Sequence, residues 1–158
     1  MTGDDHAPEQ RLAALGLTLP PVTRPLAAYV PAVRSGGFVY TAGQLPVVDG
    51  VLLATGKVGA EVGAAEASAL ARTCALNALA AAVSVTGSLS AIRRIVKVTG
   101  FVASAPDFTG QAQVVNGASE LLLEVFGEHG RHARSAVGMA VLPLNAPVEI
   151  ELIAEVGD

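Results

Sequence analysis

With 158 residues, 51% of them hydrophobic and only 15% charged, the chain has the length of one domain and fewer charges than a lone soluble subunit normally carries on its surface. A formal net charge of −4 with scattered basic residues argues against nucleic acid as the main partner, and a single cysteine, Cys74, rules out an internal disulfide or a cysteine-based metal site. Scarce charge leaves two explanations, a membrane protein or a subunit that buries much of its surface against copies of itself. The apolar stretch from Ala64 to Val85 is interrupted by Glu66, Arg72 and Asn77 and is dominated by alanine, a poor residue for lipid. Self-association is therefore expected and a membrane is not. Asp4 and Asp5 stand where a targeting segment wants basic residues and an apolar run, so no such segment and a cytoplasmic location are expected.

In chain order, residues 1–8 read as a frayed lead-in and residues 9–15 as a short helix closed by Gly16. Leu19-Pro20-Pro21-Val22-Thr23-Arg24-Pro25 is too proline-rich for a helix or a central strand. Residues 1–24 are thus a lead-in and connector, and residues 25–158 a single domain. Tyr29–Arg34 predicts a strand made irregular by Pro31, Ser35-Gly36-Gly37 a hairpin turn, and Phe38–Gly43 the return strand. Asp49-Gly50 is a second turn, followed by a weaker β stretch over Val51–Ala54. Glu61–Thr86 predicts a long helix whose apolar face is Ala65, Ala69, Leu76, Leu79, Ala80 and Val83, with Gly87 just past its end. Ile92–Val102 is a β run. Asp107 is read as the N-cap of a second helix over Phe108–Phe126. After a polar turn at Gly127–His132 come two more strands, Arg134–Leu142 and Val148–Val156, joined by Pro143-Leu144-Asn145-Ala146-Pro147.

This order predicts an α+β fold with two long helices on one face of a mixed sheet, since each helix has one apolar stripe to bury. No third long helix remains for the other face, and other subunits are expected to cover it.

Chemistry concentrates in the last two strands. Alternation puts Arg134 on one face with Ala136, Gly138 and Ala140, so small residues leave room in front of a guanidinium. Glu149 and Glu151 oppose the apolar set Val148, Ile150, Leu152 and Ala154. If these strands pair through a five-residue loop, Arg134 and Glu149 are not directly opposite, though they can meet across a subunit boundary. One reading is an arginine that grips a substrate carboxylate beside a carboxylate that activates water. The other is a structural ion pair on a solvated sheet face. Other groups are weaker candidates. Glu128, His129 and His132 read as solvated loop residues rather than a metal site, Cys74 as an inert buried thiol, and Lys97 as a sheet lysine whose stem snorkels. Gly56-Lys57 lacks the glycine spacing of a phosphate loop.

Residues 25–156 resemble the RidA/YjgF family of reactive-intermediate deaminases. Tyr29–Val33 followed by Gly37-Phe38-Val39-Tyr40-Thr41-Ala42-Gly43-Gln44-Leu45-Pro46 is similar to its opening hairpin, and Asn77-Ala78-Leu79 to its mid-helix asparagine segment. Val96–Val102 with Asp107-Phe108 resembles its central strand and helix start. Ala133-Arg134-Ser135-Ala136-Val137, Leu142-Pro143 and Val148-Glu149-Ile150-Glu151 resemble its C-terminal signature. The resemblance implies a chorismate-mutase-like (bacillus-type) fold and a homotrimer with ligand clefts between subunits. It implies hydrolysis of enamines or imines to 2-keto acids and ammonia, without cofactor or metal. By position, Arg134 would bind the substrate carboxylate and Glu149 would hold the attacking water. Tyr29 and Asn116 would line the cleft, with the Gly43 backbone against the ligand.

Four positions depart from the family pattern. Ala133, preceded by His132, replaces a proline; Ala136 a cysteine; Ala42 a serine; and Ser119 an aromatic. Retention of Glu149 favours an enzyme, while the altered pocket leaves open a non-catalytic trimer that binds small carboxylates. Ribonuclease activity, attached to the wider L-PSP-like endoribonuclease family, sits poorly with an acidic chain lacking a basic groove.

Overall fold

The computed structural model describes residues 7–22 and 27–157. The lead-in before Ala7 and the boundary expected at residues 24–25 lie outside them. Helix α1 (Pro8–Ala14) starts on a proline, whose missing N–H costs nothing in a first turn, and ends before Gly16 at φ 72°. Leu12 from α1 is buried in the core. Glu9 accepts hydrogen bonds from the backbone N–H of Ser90 at 2.9 Å and from its hydroxyl at 2.6 Å.

Strands β1 (Ala32–Ser35) and β2 (Phe38–Thr41) form the expected hairpin, with Gly36 at φ 58° in its turn. β1 begins later than expected. Pro31 has no N–H to give a ladder, and its carbonyl instead accepts from Ala42 N at 2.8 Å, leaving Tyr29 and Val30 exposed outside the sheet. β3 (Val47–Val48) and β4 (Val51–Leu52) make a minimal hairpin turned by Asp49 and Gly50, both at positive φ.

Helix α2 (Ala64–Thr86) starts three residues after the expected Glu61 and closes on Gly87 at φ 90°. Its buried face agrees with the expected one at Leu79 and Ala80, with Leu76 and Val83 partly buried against the core, and departs from it in the first turns. Ala65 and Ala69 are exposed, and the core side carries Ala67, Leu70, Ala71, Cys74, Ala75, Ala78, Leu79, Ala81 and Ala82. By length and composition α2 could cross a membrane; here its apolar face packs against the sheet and a neighbouring helix.

β5 (Ile92–Ala103) leads into helix α3 (Gln111–Phe126), which starts three residues later than expected and is capped by Gly110, not Asp107. Packing decides the difference. Phe108 turns back against the core, its N–H bonded to Ala105 O at 3.0 Å, while the Gln111 amide ties the turn to Phe108 O and Ser104 Oγ. β6 (Ala133–Met139) stops short of the expected Leu142, and β7 (Val148–Val156) matches its predicted span.

The main sheet has the order β1-β2-β7-β5-β6, antiparallel except for the β5–β6 pair. The last two strands therefore do not pair. β5 lies between them, and α3 is the crossover linking the parallel strands β5 and β6. Helices α2 and α3 pack together on one sheet face, over Val39, Val98, Val102, Val148, Ile150, Leu152 and Ala154. The α+β arrangement with two long helices on one face is as predicted. The opposite face presents Val33, Phe38, Tyr40 and Val137 to solvent.

Candidate functional site

Glu149 sits on central strand β7, paired with Phe101 of β5, on the face away from the helices. A bulge brings the chain against it. Tyr40 pairs with Ile153 and Gln44 bridges to Ile150, so β2 and its continuation carry one residue more than β7 between these points. Leu152 N–H, which the ladder leaves without a carbonyl, donates to Thr41 Oγ1 at 3.0 Å. The spare length presses Gly43 onto Glu149: a methyl at Gly43 would collide with Oε1 and lie 2.8 Å from Cδ. Only glycine lets the backbone come so close. Burial, reinforced by the nearby charge of Glu151, raises the Glu149 carboxyl above the usual carboxylate range.

Beside Gly43 opens a cavity of about 470 Å³, lined by Tyr29, Gln44, Leu45 and Asn77 among others. The Asn77 amide donates to Leu45 O at 3.0 Å and Val47 O at 2.9 Å, pinning this wall to α2. Tyr29 and Gly43 thus line one space.

Arg134 lies elsewhere. On edge strand β6, paired with Val98, it leans over α3. Nη1 donates to Asn116 Oδ1 at 2.8 Å and Ser119 Oγ at 3.2 Å, and Nη2 to Ala112 O at 3.2 Å. Ala112, Asn116 and Ser119 follow the i, i+4, i+7 spacing of one helical stripe. All these acceptors are neutral, and among the described residues no carboxylate neutralises the guanidinium. Arg134 and Asn116 come together. Arg134 and Glu149 do not, because within one chain they occupy opposite sheet faces with β5 between their strands.

Two residues were read differently from sequence. His132, expected to be a solvated loop residue, is half-buried, with Nε2 2.9 Å from Ser119 Oγ and Nδ1 2.6 Å from Gly130 O. Burial holds its pKa below the usual value, opposed by the Gly130 carbonyl and helped by the charge of Arg134. Ser119, noted as a replacement for an aromatic, is the link between His132 and Arg134. Its spacing of three from Asn116 was the available signal. Cys74 is fully buried, as expected, with burial and the Glu149 charge pushing its thiol pKa far up. Among the described residues no cluster of three metal-ligating side chains occurs.

The arrangement has known relatives. The family model described as "YjgF/chorismate mutase-like, putative endoribonuclease" matches residues 9–156. Protein TCP17 of Trypanosoma cruzi is 44% identical over 93% of this chain and 92% of its own length. The crystal structure of Atu1372 from Agrobacterium tumefaciens, a protein of unknown function, superposes with a TM-score of 0.88 at 50% identity, covering 95% of this chain and 92% of that one. TdcF of Escherichia coli, crystallised with bound serine, superposes with a TM-score of 0.60 at 28% identity, covering 88% and 94%. The match runs from α1 to the end of β7 and takes in both the hairpin carrying Gly43 and the strand carrying Arg134, and on that ground the chain belongs to the RidA/YjgF family.

Proposed function

We propose that the protein hydrolyses small carboxylated imines and enamines to 2-keto acids and ammonia, in clefts completed between subunits of a homotrimer. The observation that carries this reading is Arg134, a guanidinium held among neutral acceptors with its charge uncompensated by any carboxylate of the described residues. A substrate carboxylate supplies the missing charge and suits the planar geometry of arginine. Serine bound to TdcF is likewise a carboxylate with nitrogen on the adjacent carbon.

Glu149 supplies the base. Once ionised it accepts a proton from water as the water oxygen bonds to the imine carbon and the C=N π pair moves to nitrogen. Glu149 returns that proton to the nitrogen, the hydroxyl proton then passes to the resulting amine, and the C–N bond breaks as the oxygen becomes a carbonyl and ammonia leaves. The raised pKa brings Glu149 nearer to the pH at which it must both accept and return that proton. Since Arg134 and Glu149 lie on opposite faces of one sheet, a second copy is required to bring them to the same substrate. Acidic net charge speaks against an RNA substrate.

The test is imine hydrolysis with the imine generated by an amino-acid oxidase, alongside direct titration with 2-keto acids. Arg134→Ala should abolish both binding and turnover, and Arg134→Lys should recover little. Glu149→Gln should slow turnover by about 10²–10⁴-fold with 2-keto-acid affinity nearly intact. A wild-type protein that binds 2-keto acids and hydrolyses no imine would replace this reading with the carboxylate-binding trimer.

A further inference from the structure

A directed chain of hydrogen bonds ends at Arg134. Its far end is the Gly130 carbonyl, 2.6 Å from His132 Nδ1. A carbonyl oxygen only accepts, so Nδ1 carries the hydrogen and Nε2 of the neutral ring is an acceptor. The proton in the 2.9 Å contact between Nε2 and Ser119 Oγ is therefore the serine's own. With its hydrogen committed to His132, Ser119 turns lone-pair density to Arg134 Nη1, 3.2 Å away.

Counting donors shows what this leaves. A guanidinium has five N–H groups. Nη1 uses two, on Asn116 and Ser119, and Nη2 uses one, on Ala112 O. Two remain, the Nε–H and one on Nη2, on adjacent nitrogens; among the described residues neither has a partner. That pair is what a carboxylate engages side-on.

We propose that Ser119 and His132 are positioning residues of a carboxylate-binding site, fixing the Nη1 end of Arg134 so that its Nε/Nη2 edge is presented to one carboxylate. This rests on the reading of Arg134 as a carboxylate-binding group. Without Ser119, Asn116 and Ala112 O would each hold one Nη nitrogen by a single bond, which leaves the plane room to tilt about the line between them. Ser119 adds a third point, and His132 prevents the serine hydroxyl from rotating its proton toward the arginine. Neither residue need touch the ligand.

The test uses the full chain and two readouts: the Arg134 Nε–H resonance in the ligand-free protein, and the dissociation constant for 2-oxobutyrate. In wild type the resonance should be sharp, and 2-oxobutyrate should shift it and slow its exchange with water. Ser119→Ala should broaden it and weaken binding about tenfold, the scale of one hydrogen bond to a charged group. Ser119→Thr, which keeps the hydroxyl, should restore both. His132→Phe should act in the same direction as Ser119→Ala, and the double variant should be little worse than Ser119→Ala, because the two residues act in series. Thermal unfolding of each variant separates these effects from loss of fold. An unchanged Arg134 resonance and affinity in Ser119→Ala and His132→Phe overturn the proposal, as does a Ser119→Thr protein as weak as Ser119→Ala. If Ser119→Ala disorders Arg134 but wild type binds no 2-oxobutyrate, the ordering role stands and the carboxylate reading of Arg134 falls.

Discussion

Gly43→Ala offers a way to move the Glu149 carboxylate without altering Glu149. The added methyl would collide with Oε1 and come to 2.8 Å from Cδ and 3.1 Å from Cγ. Ordinary contact distances are about 3.5–4.0 Å, so the carboxylate must withdraw by about an ångström or more. The obstructing atoms are the far end of a flexible side chain, and Glu149 can swing toward solvent at a rotamer cost of about 0.5–1.5 kcal/mol. Loss of stability should stay near that figure. Turnover should suffer far more, because a base displaced by this distance no longer meets the water; a fall of about 10²-fold or more is expected, approaching that of Glu149→Gln. Moving the carboxylate into water also removes the burial that raises its pKa, so the acid limb of any residual pH–rate profile should shift to lower pH. The assay is imine hydrolysis across pH beside thermal unfolding. A Gly43→Ala protein as active as wild type would refute the argument that the bulge fixes the base, and a protein that fails to fold would refute the argument that Glu149 can yield.

Three further outcomes follow from the packing and the charges. Gly117→Ala should destabilise by about 1–3 kcal/mol or more in thermal or urea unfolding, even though alanine favours helix, because the methyl would collide with the Ser68 backbone carbonyl of α2, which no rotamer can move. Glu9→Gln should loosen α1 by about 1 kcal/mol at neutral pH, a modest figure for a largely exposed carboxylate. Burial opposes ionisation of Glu9, but the Ser90 hydrogen bonds outweigh it and lower the pKa, so this stabilisation is present above the unfolded value of 4.5 and disappears as pH falls through the folded one. Glu149 has the opposite sign: its raised pKa favours folding below 4.5 and loses that contribution as pH rises, so Glu149→Gln should raise the unfolding temperature at pH 7 relative to wild type, with a smaller gain at pH 4.

Much of the fold was legible because some segments permit one reading. β7 alternates strictly between apolar and polar residues, and its predicted ends match. The Gly36-Gly37 turn and Gly87 past α2 carried their own backbone signals. The buried side of α2 was legible only in its second half, at Leu76, Leu79, Ala80 and Val83, because the alanines of the first turns leave no period to detect. Asp107 looked like a helix cap because Pro-Asp is a local start signal, whereas the helix waits until Phe108 has turned into the core. Strand order was hidden for another reason. The short connector between β6 and β7 suggested adjacency, yet with β6 ending at Met139 the link is long enough to pass over one strand, about 10 Å across two strand spacings. For the site, residue types singled out Arg134 and Glu149, while Tyr29, Gly43 and Asn116 came only from the family resemblance. Alternation gave a face to Arg134 and one to Glu149 but not that the two are opposite, and the tie from Ser119 to His132 depended on a turn whose course no local pattern encodes.

The alanine content of α2 also shapes how the chain tolerates change. Its buried positions are Ala67, Leu70, Ala71, Cys74, Ala75, Ala78, Leu79, Ala80, Ala81 and Ala82, so most are already as small as a side chain with a Cβ can be. Most cores are injured by shrinkage, when truncation opens a void. Along this helix the damaging direction is growth, since a valine or leucine would have to displace the sheet or α3. A saturation scan of α2 should therefore read as a map of upper volume limits. Drift among related chains should exchange alanine with glycine, serine and cysteine at these positions, with compensating enlargement confined to Leu70 and Leu79, where the interface already accommodates bulk.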